Sequence, residues 1–191
     1  MACMMRLLLI VVVVAIATPA TAGPMCDGLP VTGVGGTEED DVIVLLAGND
    51  QVDGFEGNDV ICGNRGNDDI LGGWGNDRLF GGPGSDVVRA WGGDDLLDGG
   101  GGDDVLGTPE LPVGDQQGHD RYIGGAGNDH IYALDAEEAE RVLGGRGHDY
   151  IAARDAGSGP EIIRGGRGAD TCVVDIHIDV VTGCERINFG H

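Results

Sequence analysis

The sequence predicts an all-β fold in which short parallel strands stack into a solenoid. Three observations carry this prediction: a nine-residue repeat fills most of the chain, its sixth position is always a carboxylate, and its eighth position always suits a dry interior. Because side chains alternate along a strand, one apolar residue per repeat fits a short strand with one buried face. The repeat therefore predicts one turn and one short strand in every nine residues.

The template of the repeat is Gly72–Phe80, with the sequence G-G-W-G-N-D-R-L-F. Eight units follow one another without a gap from Gly36 to Gly107. Further units align on the same template once the spacers between them are placed backward from their ends, which gives fourteen units. The units that resume the register are Asp115–Ile123, Gly124–Tyr132, Gly144–Ala152 and Gly165–Val173.

Two columns of this alignment test the register independently. Position 6 holds Asp41, Asp50, Asp59, Asp68, Asp77, Asp86, Asp95, Asp104, Asp120, Asp129, Glu140, Asp149, Glu161 and Asp170. Position 8 holds Ile43, Val52, Ile61, Ile70, Leu79, Val88, Leu97, Leu106, Tyr122, Ile131, Val142, Ile151, Ile163 and Cys172. A disordered acidic segment needs neither a fixed period nor an apolar column, so both columns favour a folded array.

The composition excludes an ordinary large hydrophobic core. The 191 residues include 38 glycines and 33 acidic residues but only 3 phenylalanines, and the formal net charge is −22. Such a charge excludes nucleic acid as a natural partner and makes the compact chain repel itself. Cations are therefore the expected counterpart.

The first 22 residues have the pattern of a signal peptide. Met1–Arg6 carries one positive charge, Leu7–Ala17 is an unbroken apolar run, and Ala20–Ala22 has the small-x-small pattern of a cleavage site. The apolar run is too short to span a bilayer comfortably, and we expect no membrane span in the mature chain. We expect a secreted protein with a signal peptide at 1–22, an N-terminal cap at 23–35, the repeats at 36–173 and a C-terminal capping strand at 174–191.

With Cys3 in the signal peptide, the mature chain keeps four cysteines. An even number in an oxidising compartment favours two disulfides, and the spacing lacks the paired C-x-x-C knuckles of a zinc site. Three connectivities are open. We prefer Cys26–Cys62 and Cys172–Cys184, since each pair would fix one end of the array.

Glycines at positions 1, 2 and 4 permit a tight turn whose carbonyl oxygens point into the bend. Calcium takes six to eight oxygen ligands at about 2.3–2.6 Å, and carbonyls with carboxylates meet that need. Two units make one coil of eighteen residues, so that turns of units n and n+2 lie above one another. The space between stacked turns suits the metal.

The motif of Gly72–Phe80 resembles G-G-x-G-x-D-x-U-x of the RTX, or hemolysin-type, calcium-binding repeat family. The resemblance covers roughly Gly36–Val173, and Val60–Gly63 and Cys184–Glu185 are similar to small secreted bacterial members. It implies a right-handed parallel β-roll, a calcium-binding β-solenoid, with several calcium ions. Its position-6 ligands would be Asp41, Asp59, Asp77, Asp95 and Asp120 on one side and Asp50, Asp68, Asp86, Asp104, Asp129, Asp149 and Asp170 on the other.

Three odd-numbered units are longer than nine residues: Thr108–Ile123, Ala133–Leu143 and Ala153–Arg164. They should project from one edge of the roll. Two of them carry Glu140 or Glu161 at position 6, and we expect weak or absent calcium binding there.

The sequence favours a non-enzymatic calcium-binding module, acting as an extracellular structural or adhesive element with an extracellular or cell-surface partner. One alternative is an RTX-type extracellular enzyme, a hydrolase or epimerase, with a site on the expanded units. A second is an ice-binding solenoid, which lacks support because outward position 7 has no threonine ladder. His119 and His148 occupy variable position 5, where surface substitution explains them better than a zinc or catalytic site.

Overall fold

The computed structural model describes residues 35–108, 118–134, 140–153, 162–174 and 180–189. In these ranges every regular element is a β-strand, and the sixteen strands alternate between two parallel sheets of eight. No helix in this described part of the chain is long and apolar enough to cross a membrane. The predicted all-β, parallel β-solenoid is confirmed.

The odd-numbered strands form one sheet, which we call the odd sheet. In spatial order they are β1 (Val42–Val44), β3 (Val60–Cys62), β5 (Arg78–Pro83), β7 (Leu96–Gly101), β9 (Arg121–Ala126), β11 (Arg141–Arg146), β13 (Ile162–Arg167) and β15 (Val180–Thr182).

The even-numbered strands form the facing even sheet. In spatial order they are β2 (Gln51–Asp53), β4 (Asp69–Leu71), β6 (Val87–Arg89), β8 (Val105–Gly107), β10 (His130–Ala133), β12 (Tyr150–Ala153), β14 (Thr171–Val174) and β16 (Arg186–Phe189). The turns that precede odd strands define the odd edge of the roll, and the turns that precede even strands define the even edge.

The strand register follows the repeat, and strands on either side of a longer unit still pair equivalent repeat positions. Regular coils pair residues eighteen apart, as the hydrogen bond between Asp41 and Asp59 shows. The separation becomes 25 residues at Asp95 and Asp120, then 20 and 21 residues farther along the even edge. The extra residues fall between β8 and β9, between β10 and β11, and between β12 and β13, so all three expansions start and end at the odd edge. Residues 109–117, 135–139 and 154–161 of these expanded units, Glu161 included, lie outside the described residues.

The core is the column at position 8. All fourteen side chains of that column are buried, and the most exposed of them, Val52, is 6 % exposed. Positions 7 and 9 flank each core residue and mostly point away from it, as in β1 and β4 with their intermediate–buried–intermediate pattern. Because each coil supplies only two such residues, apolar burial per residue is small.

The C-terminal end of the roll differs from the single capping strand expected at 174–191. Val174 belongs to β14, and β15 and β16 add a further coil, one strand to each sheet. Cys184 precedes β16 and forms a disulfide with Cys172 across a Cα–Cα distance of 6.0 Å. This confirms the predicted pair. Ile187 and Phe189 remain 44 % and 59 % exposed at that end.

The predicted signal peptide and nearly all of the N-terminal cap lie outside the described residues. Cys62, at the end of β3, is also disulfide-bonded. Its predicted partner Cys26 lies outside the described part of the chain, so the Cys26–Cys62 pair stays a prediction that peptide mapping can check.

Candidate metal sites

The position-6 carboxylates are buried at the two edges of the roll. Eleven of the twelve predicted aspartates are at most 7 % exposed, and Asp50 is half-buried. Glu140 is fully buried as well. Each precedes a strand whose core residue lies two positions on, and because side chains alternate along the strand, positions 6 and 8 point to the same side. The repeat thus places an ionisable group beside every core residue.

These aspartates form two hydrogen-bonded ladders along the roll. The backbone N–H of each aspartate donates to Oδ1 of the aspartate one coil farther on, at 2.8–3.0 Å. The odd ladder joins Asp41, Asp59, Asp77, Asp95 and Asp120 through four bonds. The even ladder joins Asp50, Asp68, Asp86, Asp104, Asp129, Asp149 and Asp170 through six. The structure therefore brings together the neighbours that the two predicted sets require.

The second oxygen of most ladder carboxylates has no protein partner. Oδ2 is buried without a hydrogen bond in Asp50, Asp59, Asp68, Asp77, Asp86, Asp95, Asp104, Asp129, Asp149 and Asp170. A buried anionic oxygen without a counter-charge is strongly unfavourable, and native proteins leave few such groups. Ten of them in two rows indicate that a cation belongs beside each row.

At the two ends of the odd ladder, protein groups donate hydrogen bonds to this second carboxylate oxygen. At Asp41, Oδ2 accepts hydrogen bonds from both the backbone N–H and the hydroxyl of Thr37, each at 2.8 Å. At Asp120, Oδ2 accepts from the hydroxyl of Tyr122 at 3.2 Å. The need for a cation is accordingly smaller at these two ends than in the middle of the ladder.

Burial without a cation raises the pKa of eight ladder carboxyls, those of Asp59, Asp68, Asp77, Asp86, Asp95, Asp104, Asp129 and Asp149. Desolvation is the largest cause, the hydrogen bond from the preceding aspartate lowers each pKa in part, and neighbouring aspartates raise it further. The pKa values become about 6 for Asp59 and Asp129, about 7 for Asp77 and Asp104, and about 8 for Asp95. At neutral pH, part of this charge is therefore unfavourable in the folded, metal-free protein.

Glycine at position 1 lets a main-chain oxygen approach the orphaned carboxylate oxygen. A Cβ at Gly81 would lie 2.5 Å from Oδ2 of Asp86 and 2.6 Å from the carbonyl oxygen of Gly99, one coil farther on. Both oxygens thus face the same small space. Calcium accepts both carboxylate and carbonyl oxygens, so a carboxylate of one coil and a turn carbonyl of the next are suitable ligands for one ion.

The donor chemistry fits calcium and excludes a softer metal. Within the described residues no group of three or more His, Cys, Asp or Glu side chains could hold a metal ion. An ion on the ladders would therefore need backbone carbonyls beside one or two carboxylates. Zinc sites use nitrogen and sulfur ligands, whereas calcium accepts such an all-oxygen mixture.

A second pair of ladders runs through position 5, which the sequence analysis treated as variable. Here the side chain of one coil accepts from the backbone N–H of the next, as Asn58 Oδ1 does from Asn76 and Asn76 Oδ1 does from Asp94. The direction is opposite to that of the aspartate ladders, so two adjacent turns are joined by backbone N–H donors from both coils. Asn or Asp at position 5 in eight of the fourteen units was the signal for it.

The two histidines at position 5 belong to these ladders. The backbone N–H of His119 donates to Asp94 Oδ1, and His148 Nδ1 accepts from the backbone N–H of Ala169 at 2.8 Å. Both side chains are exposed. The His148 side chain thus replaces asparagine as a ladder acceptor, and no metal cluster forms around either histidine in the described residues.

The fold and the paired ladders define a repeat protein of the calcium-binding β-solenoid class. The family model of the RTX calcium-binding nonapeptide repeat matches residues 35–70, 71–106, 116–151 and 155–171. The chain therefore belongs to the RTX calcium-binding nonapeptide repeat family. No curated protein and no solved structure matches it.

Proposed function

We propose that the chain is a secreted, non-enzymatic calcium-binding module that folds when calcium binds and then acts as an extracellular structural or adhesive element. The observation that carries this proposal is the row of ten buried aspartate oxygens without a protein partner. Calcium binding is the property of its repeat family. The signal-peptide pattern of residues 1–22 supports export.

The twelve ladder aspartates would hold the ions, together with turn carbonyls such as that of Gly99. When bound, calcium supplies the positive charge that the buried carboxylates lack. The chain contributes the rest: in a regular coil such as that of Asp86, Oδ1 accepts the backbone N–H of the aspartate one coil earlier, and Oδ2 lies beside a carbonyl oxygen of the next turn. The site is thus built between coils, so each bound ion would hold two adjacent coils together.

Charge balance supports coupling between binding and folding. One ion on each of the ten ladder intervals would bring about +20, against a formal net charge of −22. Without that charge, the raised pKa of Asp95 and its neighbours marks the folded state as costly at neutral pH. The ladders also span separate coils, so the unfolded chain has no preformed site.

An enzyme with a site on the expanded units is the alternative function. The family match is to the repeat itself and assigns no catalytic group to the odd edge. We therefore propose no catalytic residue. A screen of glycan, ester and peptide substrates, with and without calcium, would reveal such an activity.

The test is circular dichroism and calorimetry on the mature chain. In chelator the chain should be largely unstructured, and millimolar calcium should induce β structure, since extracellular calcium modules bind at roughly 10⁻⁴–10⁻³ M. Calorimetric titration should find about ten ions per chain, one for each ladder interval. A spectrum that chelator leaves unchanged would contradict calcium-coupled folding.

A further inference from the structure

The aromatic side chains of this protein lie mostly outside its core. The sequence has 2 tryptophans, 3 tyrosines and 3 phenylalanines, and of these only Tyr122 is buried. Both tryptophans and Phe55 lie on the odd edge, in the turns that precede β3, β5 and β7. Phe55 is 52 % exposed, Trp74 is 44 % exposed and Trp91 is half-buried. We call Phe55, Trp74 and Trp91 the aromatic row.

Phe55 is held in a backbone conformation that a bulky residue avoids. Its φ is +76°, at the repeat position where the next coil has Gly73 with φ +105°. The left-handed region is unfavourable for residues with a Cβ, and Phe has no side-chain polar group to compensate. Because half of the ring is exposed, burial does not explain why phenylalanine stands here. Strain at an exposed aromatic side chain is a sign of a binding role.

Along the odd edge, two exposed glutamates are followed by the two tryptophans in successive coils. Glu56 pairs with Trp74 in a parallel β-bridge, and the Trp74 and Trp91 rings meet edge to face with centroids 6.1 Å apart. In the preceding coil the residue at position 3, Trp74, donates its backbone N–H to the carbonyl of Phe55 at position 2. Trp91 stands at position 2 of its unit but makes the corresponding bond, to the carbonyl of Gly73, and so takes the place of position 3 beside Trp74. Glu56 and, one coil earlier, Glu38 are exposed and stand outside the buried columns.

Glu56 is exposed, and its backbone pairs with that of Trp74, whose side chain is 44 % exposed. A guanidinium group can use both, with its plane on the ring and its edge on the carboxylate. Arginine stacks its plane on an aromatic ring and donates a fork of hydrogen bonds to a carboxylate. A quaternary ammonium is better recognised by an enclosing aromatic cage, whereas among the described residues Trp74 has one ring contact, with Trp91. The surrounding negative charge disfavours an anionic ligand.

We propose that the aromatic row, with Glu56, binds an arginine-bearing peptide segment of a partner protein. This rests on the proposed calcium-folded state, because the row exists only when three coils are stacked. Side chains on one side of an extended segment lie about 6.8 Å apart, so such a segment can present successive arginines to the exposed rings and to Glu56. The proposal deepens the adhesive role by naming the chemistry of the partner.

Tryptophan fluorescence tests the proposal directly, since both tryptophans of the chain are in the row. The calcium-saturated protein is titrated with a capped hexapeptide of alternating arginine and glycine. Matched peptides contain lysine, or neutral citrulline, in place of arginine, and maltohexaose probes neutral sugar binding. We expect a saturable change with arginine, binding about tenfold weaker with lysine and no saturation with citrulline. Equal binding of arginine and citrulline peptides, or saturation by maltohexaose alone, would overturn the proposal.

Variants test whether peptide binding depends on the aromatic row and Glu56 or only on the negative charge of the protein. Glu56→Gln should weaken arginine-peptide binding about fivefold or more, whereas Glu185→Gln, which removes an exposed carboxylate on the even edge, should leave it unchanged. Phe55→Gly should weaken binding and yet raise the melting temperature, because glycine adopts φ +76° without strain. Equal losses from Glu56→Gln and Glu185→Gln, or unchanged binding by Phe55→Gly, would contradict the assignment.

Circular dichroism of the same samples distinguishes the two levels of the account. A protein that folds with calcium but does not distinguish arginine from citrulline refutes the arginine site and leaves the proposed function standing. A protein whose folding ignores calcium refutes the proposed function, and peptide binding by that folded protein would then still support the row.

Discussion

The backbone N–H of Asp59 donates to Oδ1 of Asp77 at 2.9 Å, while Oδ2 of Asp77 is buried with no hydrogen-bond partner. One carboxylate therefore has two distinct duties. Its first oxygen fixes the preceding turn, and its second oxygen requires a charge that the protein does not supply.

Asp77→Asn should have opposite effects with and without calcium. Asparagine retains an acceptor for the N–H of Asp59 but removes the buried charge. In calcium-stripped solution with an osmolyte added to promote folding, the variant should fold at a lower osmolyte concentration than the parent protein. In saturating calcium it should unfold at a lower urea concentration, because a ligand carboxylate is lost.

Asp103→Asn is the matched control for that experiment. Asp103 is exposed at position 5, and its Oδ1 accepts the N–H of Asn128 at 2.7 Å. The substitution keeps the hydrogen bond and removes no buried charge, so both midpoints should change little. If Asp77→Asn shifted stability in the same direction in both conditions, Asp77 would be a structural acceptor and not a calcium ligand.

Alanine substitutions should rank the positions along the ladders. Asp77→Ala and Asp86→Ala should each move the calcium concentration at the folding midpoint upward more than Glu140→Ala does. Asp41→Ala should also be milder, because Thr37 already donates two hydrogen bonds to Oδ2 of Asp41. Calcium titrations followed by circular dichroism measure the midpoints. Equal shifts for Asp77 and Glu140 would show that the expanded unit binds calcium as the regular units do.

The register of the repeat could be predicted from sequence because columns 6 and 8 test it twice. Pairs such as Leu96 with Arg121 and Arg141 with Ile162 keep that register through the expansions, since a one-residue slip would turn Leu97 or Val142 outward. The pairing of Cys172 with Cys184 could also be predicted from sequence, because Cys172 lies in the last regular unit and Cys184 follows it by twelve residues.

The terminal coil and the side-chain ladders were harder to predict. Asp179 and Val181 stand at positions 6 and 8 of a fifteenth unit, but glycine is missing from positions 1, 2 and 4, so the template does not detect it. β16 then pairs Arg186 with Thr171 after a shortened coil that breaks the period of eighteen. The direction of the ladders depends on how the aspartate side chain turns between two coils, which composition and spacing leave open.

Acid should partly replace calcium. The pKa values of Asp59, Asp77, Asp95, Asp104 and Asp129 rise from 3.8 to between about 6 and about 8 in the folded, metal-free protein. For groups whose folded pKa is raised, the stabilisation is fully present below the unfolded pKa and is lost as pH rises through the folded pKa. In calcium-stripped buffer, β structure should therefore increase as pH falls from about 8 to about 4.

Calcium binding should show the opposite dependence on pH. Protons compete with the ion for the same carboxylates, so the calcium concentration at the folding midpoint should rise as pH falls from about 7 to about 5. Circular dichroism over a grid of pH and calcium concentration measures both effects. Loss of β structure on acidification in calcium-stripped buffer would contradict the buried-charge account.

The central claim is that specific calcium sites stabilise the array, and the most direct measurement is the melting temperature as a function of calcium concentration. A site held tenfold above its dissociation constant contributes about 1.4 kcal/mol, so about ten sites could supply on the order of 14 kcal/mol, comparable to the net stability of a whole domain. We expect the melting temperature to rise steeply and continuously from tenfold below to tenfold above the folding midpoint. Sodium chloride at equal ionic strength should reproduce little of this rise, and magnesium should substitute poorly because it prefers a tight octahedral shell and keeps its water. If sodium chloride stabilised the protein as well as calcium does, general screening of the charge would suffice, and the calcium-site account of the aspartate ladders would be contradicted.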